Sequence, residues 1–413
     1  MSSSHPQPSP RANSAESTSR MTWSIFLVSL VGLLLEMMLI RWIGTEIRIF
    51  AYLQNTVLIV CFLGLGMGCF TCRQPVRLTR GLASLMALTA LVSVPFLKPL
   101  GERITSQLSA PGDLVIWEQA IAQNGWQTLM QVVCGLVMTF AFMLLLWEVF
   151  LPMGRLLGRA MDDHPRTIWA YSVNVAGSLL GIWLFVLLSG LGTGPLVWVG
   201  ISAAILAMLA WGQADRHANL ACLAGTVLLA GLVGREPNAV EVAWSPYQKL
   251  TFAPANSEVW EGTNFILVNN AGYQALIDNS DATVRSNPKV PSEFHGLTQY
   301  DVPLAFHPHP ERVLVVGAGA GNDVAGALRG GAKHVTAVEI DPAIIDFGRR
   351  FHPEHPYDSP SVQVVNDDAR SYFATSQEKY DLIIFGLLDS HTTTSLTNAR
   401  LDHYVYTRES LEH

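Results

Sequence analysis

Charge is scarce in this chain: Asp, Glu, Lys and Arg make up 14% of its 413 residues, against 50% for apolar residues and cysteine together. That balance is too apolar for an ordinary soluble enzyme, and the length suits two domains at ~100–200 residues each. A basic excess is missing from the polar half. Residues 1–235 carry 14 Lys and Arg against 10 Asp and Glu, whereas residues 236–413 carry 12 against 23, a net charge of −11. Phosphate neutralisation needs a basic face, so no nucleic-acid partner is expected, and the acidity suits cationic ligands. Cysteine is sparse too: Cys61, Cys69, Cys72, Cys134 and Cys222 all fall in or beside apolar runs. They frame no disulfides and read as small buried hydrophobes. No repeat of 20–50 residues is evident. His307, His309, His352 and His355 sit beside prolines, without cysteine partners or a helical H-x-x-x-H, so no metal site is expected.

Residues 1–20 are rich in Ser and Pro and predict an unordered tail, with no cleavable signal peptide ahead of the first apolar run. Seven apolar stretches follow, at 22–43, 53–72, 81–100, 129–151, 168–189, 195–212 and 218–234. Most approach the ~20 residues that a helix needs to cross a bilayer, and the last is the shortest. Residues 21–235 therefore predict a transmembrane domain of about seven helices, with the lipid bilayer as partner. Gly64, Gly66 and Gly68, and Gly177, Ser178 and Gly181, either let helices approach closely or reflect how common glycine is in membrane helices. Glu36 lies inside the first stretch, where a carboxylate marks a functional or paired site. Arg41 is a candidate partner, although five residues is a poor helical spacing. Glu148, close to Pro152, reads as interfacial.

Nine arginines outside the stretches (Arg11, Arg20, Arg73, Arg77, Arg80, Arg155, Arg159, Arg166 and Arg216) fall on one side, against Arg48 and Arg103 on the other. This places the N-terminal tail in the cytoplasm of a multi-pass inner-membrane protein. Seven crossings would put residues 236–413 outside, which conflicts with the nucleotide-type site below. Either 218–234 does not fully cross and the polar half is cytoplasmic, which is the reading adopted, or the odd count is real and the site is not served by a cytosolic cofactor.

From residue 241 the pattern changes to short β-rich runs, among them KLTFA, FILVNNAGYQALID, HPHPERVLVVGAGAGND, HVTAVEID, VQVVNDD and YDLIIFGLLD. Helix-like stretches at Asp323–Gly330, Pro342–Phe351 and Ala369–Ser376 alternate with them, the signature of βαβ units and a parallel sheet. The expected organisation is a tail (1–20), a transmembrane domain (21–235), a small β element with connector (236–300) and a Rossmann-like domain (301–413).

Gly317, Gly319 and Gly321 follow a buried strand and precede a helix, so bare backbone can turn tightly and approach a ligand at a helix N-terminus. The dinucleotide fingerprint G-x-G-x-x-G/A fails here: counted from Gly317 its last position is Asn322, and from Gly319 it is Val324. A G-x-G-x-G turn instead suits folds that bind S-adenosylmethionine. Glu339 ends the next strand, where an acid can accept hydrogen bonds from a ribose diol or stand solvated. Asp368 ends the third strand and either meets an adenine amino group or, like Asp367, caps a helix. Asp389 is the candidate base, or a structural loop residue. The polar stretch from His391 to Thr407 reads as a lid or a solvated loop, with Arg400 a candidate for a ligand carboxylate.

Residues 241–410 resemble the spermidine synthase (polyamine aminopropyltransferase) family. The resemblance is carried by SPYQKL (Ser245–Leu250), LVNNAGYQAL (Leu267–Leu276), EFHGL (Glu293–Leu297), VLVVGAGAG (Val313–Gly321), VEID (Val338–Asp341), NDDARSYF (Asn366–Phe373) and YDLIIFGLLDS (Tyr380–Ser390). LEMMLIRW and YSVNVAGSLLG resemble a multi-span module fused to some of these synthases. Val315 stands where methyltransferases often carry an acid.

The resemblance implies a Rossmann-like transferase domain whose co-substrate is decarboxylated S-adenosylmethionine or S-adenosylmethionine, with no metal, and whose partner is a small-molecule amine. It implies that Gln248, Gly317, Gly319, Gly321, Glu339, Asp368 and Ala369 hold the nucleoside, and that His295 and Asp389 border the amine pocket. The chain departs from the family pattern at Gly386, where the amine-activating Asp is expected, and at Phe294, Gly296 and Ala320, where Tyr, Glu and Asp are expected. The family sheet also needs strands beyond Tyr380–Phe385, more than residues 387–413 supply. The expectation is a C-terminally incomplete domain, or one completed by a second copy or a partner chain.

The function expected is membrane-anchored aminopropyl transfer to an amine. The alternatives are a catalytically degenerate nucleoside- or polyamine-binding or transport-coupled membrane protein, and an S-adenosylmethionine-dependent methyltransferase.

Overall fold

The computed structural model describes residues 10–110, 124–236, 239–254, 264–286, 298–386 and 405–412. Two compact units divide the chain, Met1–Arg235 and Glu236–His413.

The first unit is helical among its described residues: α1 (Pro10–Glu46), α2 (Ile49–Tyr52), α3 (Gln54–Phe70), α4 (Leu78–Ser93), α5 (Lys98–Leu108), α6 (Gly125–Asp162), α7 (Thr167–Gly190), α8 (Pro195–Ala210) and α9 (Arg216–Ala230). Helix α1 begins at Pro10, inside the segment whose composition pointed to an unordered tail. Extending a helix already nucleated costs only propagation, and proline fits a first turn.

Three helices are long and apolar enough to cross a bilayer, Thr18–Glu46, Gly125–Asp162 and Thr167–Gly190. The pair α4 and α5, bent by 80°, adds a fourth if it counts as one span. Seven spans were expected from the apolar runs. Helices α3 and α8 are apolar but shorter, and α8, at 16 residues, reaches about 24 Å of the ~30 Å hydrocarbon core. On α6 and α7 large apolar side chains such as Val137, Phe140, Trp183 and Leu187 are exposed.

Glycine sets two of the helix contacts. A Cβ on Gly68 of α3 would lie 2.4 Å from the Leu151 carbonyl oxygen of α6, and one on Gly154 would lie 2.2 Å from that of Leu65. Between α1 and α7, Cβ atoms on Gly177 and Gly181 would lie 2.6 Å and 2.3 Å from the carbonyl oxygens of Phe26 and Leu30. Gly66 has open space around it. Glu36 is buried, and its Oε2 finds no hydrogen-bond partner among the described residues. Arg41 turns instead to the Ser189 hydroxyl and the Trp198 ring, and Glu148 pairs with Arg80 at 2.6 Å.

The second unit starts with an antiparallel sheet of β1 (Glu241–Trp244), β2 (Lys249–Pro254), β3 (Asn264–Val268) and β4 (Ala271–Leu276), ordered β1-β2-β3-β4. Asn269 and Asn270, both at positive φ, make the tight turn between β3 and β4. After the short helices α10 (Asp281–Ser286) and α11 (Val302–Phe306) come β5 (Arg312–Val316), α12 (Asn322–Arg329), β6 (His334–Glu339), α13 (Pro342–Phe351), β7 (Val362–Asn366), α14 (Ala369–Thr375), β8 (Leu382–Phe385) and α15 (Arg408–Leu411). Strands β5 to β8 form a parallel sheet ordered β7-β6-β5-β8, with Val316 opposite Phe385 and Glu339 opposite Asn366. This is a Rossmann-type parallel sheet.

Burial on both faces explains why the central strand β5 is continuously apolar from Val313 to Val316. Val313 and Val315 pack with Val324 of α12 and Ile345 of α13 on one face, and Leu314 and Val316 with Tyr372 and Phe373 of α14 on the other. The antiparallel sheet packs Leu250, Phe252 and Ile266 on Phe347 of α13, and Phe252 stacks on Phe351 at 4.1 Å. Strand β8 is an edge among the described residues, with Ile383 48% exposed.

Candidate functional site

The order in which strands are added reverses between β5 and β8, which run parallel. The first crossovers run outward through β6 to β7, and the next strand returns to the other side of β5. A crevice opens at such a switch point, outside the carboxyl ends of the strands. The residues after β5, β6, β7 and β8 are the glycine turn, Ile340 and Asp341, Asp367 and Asp368, and Gly386.

In the turn, Gly317, Gly319 and Gly321 have φ of 68°, 56° and 109°, values that disfavour any side chain. A Cβ on Gly319 would meet Gln274 Oε1 at 2.8 Å, and one on Gly321 would meet the Pro356 ring at 2.7 Å. Gln274 of β4 accepts from the Ala320 amide at 2.9 Å, and the Tyr357 hydroxyl donates to the Gly319 carbonyl at 2.5 Å. Asn322, at the position the dinucleotide fingerprint reserves for a small residue, donates to the Ala275 carbonyl at 2.7 Å and pairs with His352 Nε2 at 3.0 Å. Burial holds the His352 imidazole down to about 4, assisted by the nearby Arg329 charge. The turn is therefore tied to the antiparallel sheet as well as to its own strand.

Glu339 closes the turn. Its Oε2 accepts from the Gly319 amide and its Oε1 from the Asp341 amide, both at 2.9 Å. Burial raises its carboxyl above the ordinary range, opposed by those two donors. The Ile340 amide bonds the carboxylate as well, so of its roughly four acceptor sites about one is left for a ribose hydroxyl. Asp341 caps α13 through the Ala343 amide, and its Oδ2 accepts from Ser245 Oγ at 2.7 Å and Gln248 Nε2 at 3.0 Å. Gln248 thus comes to the site through Asp341. Asp368 Oδ1 accepts from the Arg370 and Ser371 amides at 2.9 and 3.1 Å, which makes it the N-cap of α14, with Ala369 as the first helical residue. Tyr247 stands half exposed beside these acids. Its hydroxyl is pushed up by burial first, then by the negative charges of Asp341, Asp368, Glu339 and Asp367. A rim of one sign favours a cation.

The structure brings Gln248, Gly317, Gly319, Gly321, Glu339 and Asp368 to one end of the parallel sheet. His295, Asp389, Phe294, Gly296 and Arg400 lie outside the described residues. Ser245, Gln274, Asp341 and Tyr357 were not singled out by residue type. The first three fall inside the SPYQKL, LVNNAGYQAL and VEID motifs, which was the available signal, whereas Tyr357 had none. Among the described residues no group of three or more His, Cys, Asp and Glu could hold a metal ion.

Asp323, in the first turn of α12, is a further site acid that the sequence did not mark. Burial pushes its carboxyl from the ordinary 3.8 up to about 6. The folded chain therefore binds more protons than the unfolded chain between those values, and stability falls as pH rises across that window. Asp323→Asn removes this dependence. The expected result is a variant that is more stable relative to wild type at pH 7 than at pH 4, measured by urea unfolding; equal differences at both pH values would contradict it.

Against known proteins, the family model described as the spermine/spermidine synthase domain matches residues 299–409. The polyamine aminopropyltransferase of Bacillus subtilis (strain 168) is 36% identical over 107 residues, 25% of this chain and 38% of that protein. That of Pectobacterium carotovorum (strain PC1) is 32% identical over 113 residues, 26% of this chain and 39% of that protein. The matched part of the chain thus spans about two fifths of the length of these relatives. Among solved structures, spermidine synthase from Thermotoga maritima aligns with 37% of this chain and 48% of its own, at 17% identity and a TM-score of 0.28.

Proposed function

We propose, for a chain whose residues 299–409 carry a spermine/spermidine synthase domain, membrane-anchored aminopropyl transfer from an S-adenosylmethionine-derived nucleoside to a small amine. The observation that carries the reading is the closed glycine turn. Three positive-φ glycines follow β5, and the carboxylate at the end of β6 hydrogen-bonds the Gly319 amide. Together these leave bare main chain and an acid side by side at the switch point, where the phosphate-free sugar of a nucleoside fits better than a pyrophosphate. The long apolar helices of the first unit support anchoring in a lipid bilayer.

In the transfer, the lone pair of a neutral amine attacks the carbon beside the sulfonium. The C–N bond forms as the C–S bond breaks, the bonding pair goes to sulfur, and methylthioadenosine leaves as a neutral thioether. The chain's own residues bind and orient. Glu339 accepts from the sugar, the turn presents backbone to the nucleoside, and the acids around Tyr247 attract the cationic donor and amine. The amine must shed its proton before attack, which a placed carboxylate assists.

The reading is tested by isothermal titration of the full chain in detergent with decarboxylated S-adenosylmethionine, S-adenosylmethionine and methylthioadenosine. Binding of the first and third is expected, and absence of heat with all three would sink the proposal. A second reading, nucleoside binding without transfer, is favoured by the glycine at position 386, where the resemblance implies an amine-activating acid. It corresponds to binding without amine-dependent release of methylthioadenosine.

A further inference from the structure

We infer that Asp323 is the carboxylate that receives a protonated amino group of the ligand at the switch point between β5 and β8, beside a position that no side chain can occupy. The inference rests on the nucleoside reading and adds to it the residue that recognises the amine. Gly386, the residue after β8, is buried, and its amide donates to the Val316 carbonyl at 2.9 Å. That bond draws the ends of the two strands together, so a Cβ at 386 would lie 2.5 Å from the Gly317 carbonyl oxygen. Such a contact is far inside van der Waals range and its partner is backbone, so the glycine is required by the close approach.

The three heavy atoms nearest that position are all oxygens: Gly317 O at 2.5 Å, Val316 O at 3.3 Å and Asp323 Oδ2 at 3.4 Å. Two are carbonyls and the third belongs to a carboxylate; the Val316 carbonyl already accepts from the Gly386 amide, which leaves the Gly317 carbonyl and the Asp323 carboxylate as acceptors there. A primary ammonium, with three donors and no acceptor, is the complementary group. Asp323 is also uncommitted within the fold. The only hydrogen bond to its carboxylate among the described residues comes from its own amide, and no cation is paired with it. Burial without a partner is what raises its carboxyl, and an arriving ammonium would reverse that shift. The adjacent Asn322, and Asp341 after β6, spend their polar atoms on structure instead.

A protonated amine at this point comes either from the aminopropyl end of the donor or from the acceptor, and titration separates the two. The full chain in detergent, as wild type, Asp323→Asn and Asp323→Ala, is titrated with methylthioadenosine, with decarboxylated S-adenosylmethionine, and with 1,4-diaminobutane in the presence of methylthioadenosine. Methylthioadenosine carries the nucleoside without an amino chain, so it reports the folded turn. Both variants are expected to bind it within twofold of wild type.

A tenfold or greater loss confined to decarboxylated S-adenosylmethionine assigns Asp323 to the donor, and one confined to the diamine assigns it to the acceptor, the scale of one charge-assisted hydrogen bond. Variants that bind all three within twofold of wild type overturn the inference and leave the nucleoside reading standing. Variants that lose methylthioadenosine as well give Asp323 a role in the turn itself and also overturn it. A wild type that fails to bind methylthioadenosine removes the nucleoside reading and the inference together.

Discussion

Gly68→Ala is expected to destabilise the helical unit by about 3 kcal/mol, at the upper end for overpacking a close contact, while Gly66→Ala stabilises it by up to about 1 kcal/mol. The two glycines are two residues apart on α3 and invite the same prediction from sequence. Their surroundings differ. A methyl group on Gly68 would stand 2.4 Å from the Leu151 carbonyl oxygen and 2.7 Å from the Gly154 Cα, both backbone atoms of α6 that no rotamer change can move. The helices would have to part, giving up the packing along their length. A methyl on Gly66 meets nothing within 4 Å, so only the intrinsic helix preference of alanine acts. Thermal unfolding of the two variants in one detergent checks the result, and melting temperatures that move in the same direction would contradict it.

Glu339→Gln is expected to cost about 2 kcal/mol of stability in the second unit and at least tenfold in affinity for methylthioadenosine. The carboxylate accepts from two main-chain amides, one on each oxygen, at Gly319 and Asp341. An amide side chain can satisfy only one of them. Its NH2 then faces a buried N–H donor, and an unsatisfied buried donor costs ~1–3 kcal/mol. Because one of the two amides belongs to the glycine turn and the other to the residue that holds Ser245 and Gln248, the same change loosens both walls of the crevice. Urea unfolding and calorimetric titration measure the two effects. Full affinity with reduced stability would mean that Glu339 serves the turn and not the ligand.

Much of the polar half was legible because strand and helix leave short-range marks. The run VLVV of β5 is continuously apolar where a parallel strand is buried on both faces. The helix expected at Pro342–Phe351 has those bounds, and those expected at Asp323–Gly330 and Ala369–Ser376 end within one residue of the observed ones. Glycine spacing announced the turn, since positive φ leaves few other residues possible. Asp368 was readable only as a choice between cap and adenine contact, and its bonds to the Arg370 and Ser371 amides establish the cap.

In the apolar half the sequence marked apolar helices but not where they bend or which faces meet. Hydropathy marks where lipid-like surface lies, yet a run broken by a bend of 80° between Ser93 and Lys98 reads the same as an unbroken one. Nor does sequence distinguish Gly66 from Gly68, or say that Arg41 turns to Ser189 and Trp198 rather than to Glu36.

The sequence by itself determined what depends on neighbours along the chain: which segments are apolar throughout, where strands and helices alternate, and where the backbone must take left-handed angles. Only the tertiary structure decided which groups face one another across long separations. Asp323 beside Gly386, Gln274 on the Ala320 amide and Ser245 on Asp341 are 63, 46 and 96 residues apart. Local propensity carries no information about such meetings, because they are set by strand order and by how closely two backbones approach.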